Sequence, residues 1–98
     1  MAAPIIISLD AGGWKTPNDF LAAMRGAVDA PDGADLDTLA ETMIRSALPC
    51  TVRITGTSQA SGDVRKQIGA LLQMIEDARV WRRNHQYGAV KVTIEIVS

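Results

Sequence analysis

The stretch from Asp35 to Thr55, DLDTLAETMIRSALPCTVRIT, carries two hydrophobic periods back to back. Leu36, Leu39, Ala40, Met43, Ile44 and Ala47 recur at i, i+3, i+4, i+7, i+8 and i+11, which is one apolar stripe on a helix. Asp35 can cap that helix with its carboxylate, and Pro49 stops it because a proline has no N–H to give. Cys50 to Thr55 then alternates and is rich in β-branched residues, so it reads as a strand.

Reading outward toward the N-terminus, Asp29 to Ala34 is a turn around Pro31-Asp32-Gly33. Before it, Phe20, Leu21, Met24 and Val28 follow helical spacing. Thr16 suits the cap of this helix, Pro17 its first position, and Asp19 the partner position of a capping box, so it spans Pro17 to Val28. Ile5 to Leu9 reads as a buried strand ended by Asp10-Ala11-Gly12-Gly13.

In the other direction, Gly56 to Gly62 is a polar loop. A third helix starts near Asp63 and buries Val64, Ile68, Leu71, Leu72, Ile75 and Ala78. Arg79, Arg82 and Arg83 crowd its C-terminal end, where the helix dipole favours cations. A turn over Asn84 to Gly88 leads to a strand from Ala89 to Val97, with Val90, Val92, Ile94 and Ile96 on one face.

The expected order is β-α-α-β-α-β, an α/β chain forming a single domain over residues 1–98. Helical crossovers imply a small three-stranded parallel sheet with right-handed connections, its helices packed on it in two or three layers. Strand order stays open.

Composition narrows the function classes. A chain 47% hydrophobic and 21% charged folds into a globule. Trp14, Phe20, Trp81 and Tyr87 are its few aromatics, so the core is expected to be aliphatic. The single Cys50 leaves no internal disulfide, which suits a reducing, cytoplasmic setting. Met1-Ala2-Ala3-Pro4 lacks a basic n-region and the run Ile5-Ile6-Ile7 ends at Ser8, so neither a signal peptide nor a membrane span is expected. A net charge of -1 gives no global pull toward nucleic acid or membrane.

No catalytic constellation stands out. His85 is the only histidine and has no orienting partner nearby in sequence; it reads as a solvated turn residue. Cys50 reads as a small buried hydrophobe. One Cys and one His do not make a zinc site. Gly12-Gly13 is followed by Trp14 and lacks the lysine of a phosphate loop, and Ser58 and Ser61 have no triad around them. No enzyme activity, metal or cofactor is expected.

The charges are unevenly placed. Gly26 to Ile44 holds Asp29, Asp32, Asp35, Asp37 and Glu41 and no base. Asp37 and Glu41 lie one helical turn apart on one face, away from the apolar stripe. Asp35 is accounted for as a cap, and Asp37 in part by the dipole; Glu41 lies too far along for the dipole to act. The pair is either a solvated polar face or an anionic patch that steers toward a basic partner.

The run Asp32-Gly33-Ala34-Asp35-Leu36-Asp37-Thr38-Leu39-Ala40-Glu41 resembles the signature of the barstar family of ribonuclease inhibitors. Trp14 with Asp19-Phe20, Pro49 before the second strand, Leu72 to Ala78 and the β-rich C-terminus agree in order with that family. The resemblance implies a barstar-like fold and an inhibitor or immunity protein that blocks a small basic ribonuclease or related toxin. Carboxylates of the second helix would take the place of RNA phosphates. It implies partner-binding roles for Gly33, Asp35, Asp37, Glu41 and Asp77: Glu41 matches the central aspartate, Gly33 lets the loop approach, and Asp77 adds a peripheral charge. This chain departs from the pattern at Glu41, longer by a methylene, at Ala40, where the family has tryptophan, and at Pro31-Asp32, where it has tyrosines.

Three alternatives remain. The same fold could serve as an adaptor for a non-nuclease protein. Arg79, Trp81, Arg82, Arg83, His85 and Tyr87 interleave bases and aromatics, compatible with nucleic-acid contact. Acidic and basic faces could also meet between copies in a homo-oligomer. The inhibitor reading requires that Asp37 and Glu41 both be exposed, with neither neutralised by an arginine of the same molecule.

Overall fold

Thr16 opens the first helix as the sequence implies. Its hydroxyl accepts from the Asp19 N–H at 3.4 Å, and the Asp19 carboxylate accepts from the Thr16 N–H at 3.1 Å. The same carboxylate accepts from the Lys15 N–H at 2.9 Å. These bonds hold the Asp19 carboxyl below its ordinary value, that from Lys15 having the largest effect.

The computed structural model describes residues 5–46 and 49–97. Its elements are β1 (Ile5–Asp10), α1 (Pro17–Val28), α2 (Leu36–Arg45), β2 (Cys50–Thr55), α3 (Gly62–Asn84) and β3 (Val92–Val97). Short 3-10 turns cover Ala11–Gly13 and Thr57–Gln59. Asp35 caps α2, Ser61 caps α3, and Asp29 closes α1 in the left-handed conformation that a short polar side chain tolerates. Ala47, assigned above to the stripe of the second helix, and the start Met1–Pro4 lie outside the described residues.

The strands form one parallel sheet in the order β1-β2-β3. Ile7, Val52 and Ile94 share one row, and Leu9, Ile54 and Ile96 the next. The buried strand residues Val52, Ile54 and Val92 fall on a single face, where they meet Phe20 and Met24 of α1, Leu39 and Met43 of α2, and Val64 and Leu71 of α3. The opposite face presents Ser8, Arg53 and Glu95 in one row, with Arg53 and Glu95 3.5 Å apart. The described residues therefore form two layers, helices on one side of the sheet.

Two expectations need correction. β1 is not a buried strand: Ile5 and Ile6 are both more than half exposed. It lies at the edge of the sheet, and Ile6 points to the face that no helix covers. β3 begins at Val92 rather than Ala89. Val92 is the register partner of Cys50, the first residue of β2, and the Lys91 carbonyl accepts from the Cys50 N–H at 3.3 Å where the ladder begins. Preceding Cys50 is Pro49, which cannot donate.

Candidate partner-binding groove

α2 starts where Gly33 allows it to. Gly33 has φ +76°, in the left-handed region, and a Cβ there would meet open space. Its role is conformational: it turns the chain so that Asp35 reaches the helix end. The Asp35 carboxylate accepts from the Thr38 N–H at 2.9 Å, and this bond holds its carboxyl below the ordinary value. Asp35 is thus engaged in capping its own helix.

Asp37, two residues on, is exposed in the first turn and has no ion-pair or hydrogen-bond partner among the described residues. Glu41 is exposed too, but it is not free: its Oε1 lies 2.7 Å from Arg45 Nη2. The expectation that both carboxylates stand un-neutralised therefore fails at Glu41, because Arg45 sits one turn further along the same helix face, just beyond the base-free stretch; the inhibitor reading in its two-carboxylate form falls, and only a form anchored on Asp37 is left. An exposed i,i+4 pair is worth about 0.3–0.5 kcal/mol, so a better-placed cation can displace Arg45. Asp77 is exposed on α3 and accepts from Gln73 Nε2 at 2.9 Å.

The structure brings Asp37 and Glu41 together in the wall of one open groove of about 670 Å³ between α2 and α3. Ala40, Ile44, Met74 and Ala78 supply its apolar surface, and Trp81, Arg82 and Tyr87 form the α3 end. Ala40 is only 3% exposed, and its small side chain leaves room where a large one would project. Asp77 and Gly33 are not part of the lining.

Trp81 and Tyr87 are the residues that the sequence reading assigned to a separate basic end. They belong to the same groove as the carboxylates. The signal was present in α3: Met74, Ala78 and Trp81 recur at i, i+4 and i+7, a second stripe beside the core stripe of Leu71 and Ile75.

The basic end is largely engaged with its own backbone. Arg79 Nη2 donates to the Val92 carbonyl at 2.8 Å, and Arg82 Nη1 donates to the Gly88 carbonyl at 3.1 Å. His85 stacks on Trp81, with ring centroids 4.2 Å apart and planes 16° from parallel. His85 Nδ1 is 2.8 Å from the Trp81 carbonyl, which can only accept, so the proton sits on Nδ1. Among the described residues there is no cluster of His, Cys, Asp and Glu that could hold a metal ion. No helix there is long and apolar enough to cross a membrane.

No family model matches the chain, and no curated protein matches it.

Proposed function

We propose that this chain is a barstar-like inhibitor that binds a small basic ribonuclease or related toxin through the α2 side of the groove. The observation that carries the reading is Asp37: an exposed carboxylate, without a partner among the described residues, on the rim of an open groove. The fold has the element order read from the hydrophobic periods, β-α-α-β-α-β, which is compatible with the reading. Asp37 acts as the free anion that meets the partner's cation, and Glu41 joins it once Arg45 is displaced. Gly33 and Asp35 contribute by setting the entry and first turn of α2, and Asp77 lies outside the groove as a peripheral charge.

A second reading, an adaptor for a non-nuclease protein on the same fold, is favoured by the Glu41–Arg45 pair, which halves the uncompensated negative charge on α2. Titration calorimetry against a panel of small basic ribonucleases separates the two. The inhibitor reading expects saturable binding and loss of nuclease activity with at least one of them. Absence of binding across the panel leaves the adaptor.

A further inference from the structure

Arg79, Arg82 and Arg83 stand at i, i+3 and i+4 on α3, so they share one helix face. With Tyr87, Ala89 and Val90 they line a second pocket of about 400 Å³, between the end of α3 and the approach to β3. It shares Arg82 and Tyr87 with the α2–α3 groove but none of the groove's carboxylates, and no acid of the described residues lines it. Arg45 and Arg53 face Glu41 and Glu95, whereas none of these three arginines has an ion-pair partner among the described residues.

Arg79 Nη2 and Arg82 Nη1 donate to the Val92 and Gly88 carbonyls, which are neutral and leave both charges in place. Those bonds pin two guanidiniums along one backbone segment, so part of their side-chain freedom is lost before any ligand arrives. Arg83 is exposed and its guanidinium is uncommitted among the described residues. The helix dipole explains cations at this end only in part. It places roughly half a negative charge at the terminus, against three guanidiniums whose spacing makes them repel one another. The excess is local, since the whole chain carries a net charge of -1. A pocket with that balance selects an anion. A carboxylate brings one charge and fits one guanidinium fork, whereas a phosphate dianion brings two charges and three oxygens that can accept from several forks at once.

We propose that the pocket at the end of α3 binds a phosphate dianion, as the free ion or as the monoester head of a nucleotide, with Arg79, Arg82 and Arg83 as its cradle. The site is independent of the inhibitor reading, because the α2 carboxylates take no part in it. Tyr87, 65% exposed on the pocket wall, is the surface on which a nucleotide base would lie.

The test titrates isotope-labelled protein with sodium phosphate at about pH 8, where phosphate carries two charges, and at constant ionic strength, with sodium acetate as the monovalent control. The Tyr87 and Ala89 amides should shift saturably with phosphate in about the millimolar range, while the Trp14 indole N–H stays put. Acetate should bind at least about 3-fold more weakly. Arg83→Gln should weaken phosphate about 5-fold, the effect of one unit charge at close range. Arg65→Gln, which removes the same charge from an exposed earlier turn of α3, should change little. The Trp14 signal reports that both variants are folded. No saturable shift, acetate bound as tightly as phosphate, or equal effects of the two variants overturns the proposal. Adenosine monophosphate then identifies the source. Tighter binding than phosphate, with the Tyr87 ring signals moving, supports the nucleotide head; equal binding with the ring unmoved supports the free ion.

Discussion

Arg45 reaches back one turn of α2 and sets its Nη2 2.7 Å from Oε1 of Glu41, leaving Asp37 as the uncompensated carboxylate on that helix's groove side. The pair is exposed at both ends, so water screens it and it holds little energy. Its effect falls on recognition. A partner cation approaching Glu41 has to compete with Arg45, whereas one approaching Asp37 does not.

Arg45→Ala separates these roles. Stability should move by no more than about 0.5 kcal/mol, because an exposed i,i+4 ion pair contributes no more than that. Association with a basic partner should become faster, since the acidic face gains a net negative charge. Stopped-flow binding at low salt checks it, and the rate gain should fade as salt rises.

Asp35 and Asp19 link stability to pH. Each has a folded pKa below its unfolded value because its carboxylate accepts backbone N–H bonds: Asp35 from Thr38, Asp19 from Lys15 and Thr16. Their contribution is complete above the unfolded value near 3.8 and is lost as pH falls through the lower folded value. Asp35→Ala should therefore lower the urea midpoint at pH 7, and the gap between variant and wild type should narrow below pH 3.8. Asp35→Asn, which still caps, should retain most of the stability at pH 7.

Two glycines with positive φ should respond unequally to alanine. Gly33 has φ +76° with open space around a Cβ, so Gly33→Ala costs only the conformational strain, about 1 kcal/mol. Gly56 has φ +69°, and a Cβ there would lie 2.6 Å from Asp10 Oδ1 and 3.0 Å from the Gly12 amide nitrogen. Gly56→Ala adds a steric clash to the strain and should be clearly the more destabilising in chemical denaturation. Equal losses would mean that the two 3-10 turns separate more easily than their packing suggests.

Phe20 is fully buried where α1 meets the sheet and the other helices. Phe20→Ala should cost about 3–5 kcal/mol through lost burial and the cavity left behind. That is a large share of the stability of a 98-residue domain. Thermal and urea unfolding followed by circular dichroism measure it.

Much of the fold was legible in the sequence because local signals agreed with one another. The capping box at Thr16 and Asp19 and the stripe of Leu36, Leu39, Ala40 and Met43 each named an element, and each formed. What could not be read was where an element stops finding partners. Ile5 and Ile6 look buried from hydrophobicity alone; only the strand order makes β1 an edge. Ala89 to Lys91 continue the alternation of β3, but the register with β2 begins only at Val92, opposite Cys50.

The candidate site was legible in part. Asp35 as a cap followed from its position ahead of an apolar stripe. The Arg45 contact follows from its i,i+4 spacing to Glu41, although Arg45 lies one residue beyond the base-free stretch that ends at Ile44. The convergence of Asp37 with Trp81 and Tyr87 depends on α2 and α3 packing side by side, a tertiary relation that residues 44 and 50 positions apart do not announce.

The most direct test is the affinity of wild type and Asp37→Ala for a basic ribonuclease that the wild type binds, with Asp29→Asn, which removes a charge at the other end of the loop and tolerates the left-handed backbone there, as control. A hot-spot carboxylate predicts a loss of about 30-fold or more, roughly 2 kcal/mol, for Asp37→Ala and little change for Asp29→Asn. An Asp37→Ala protein that binds as tightly as wild type contradicts the assignment of the groove-side carboxylate as the partner's anchor.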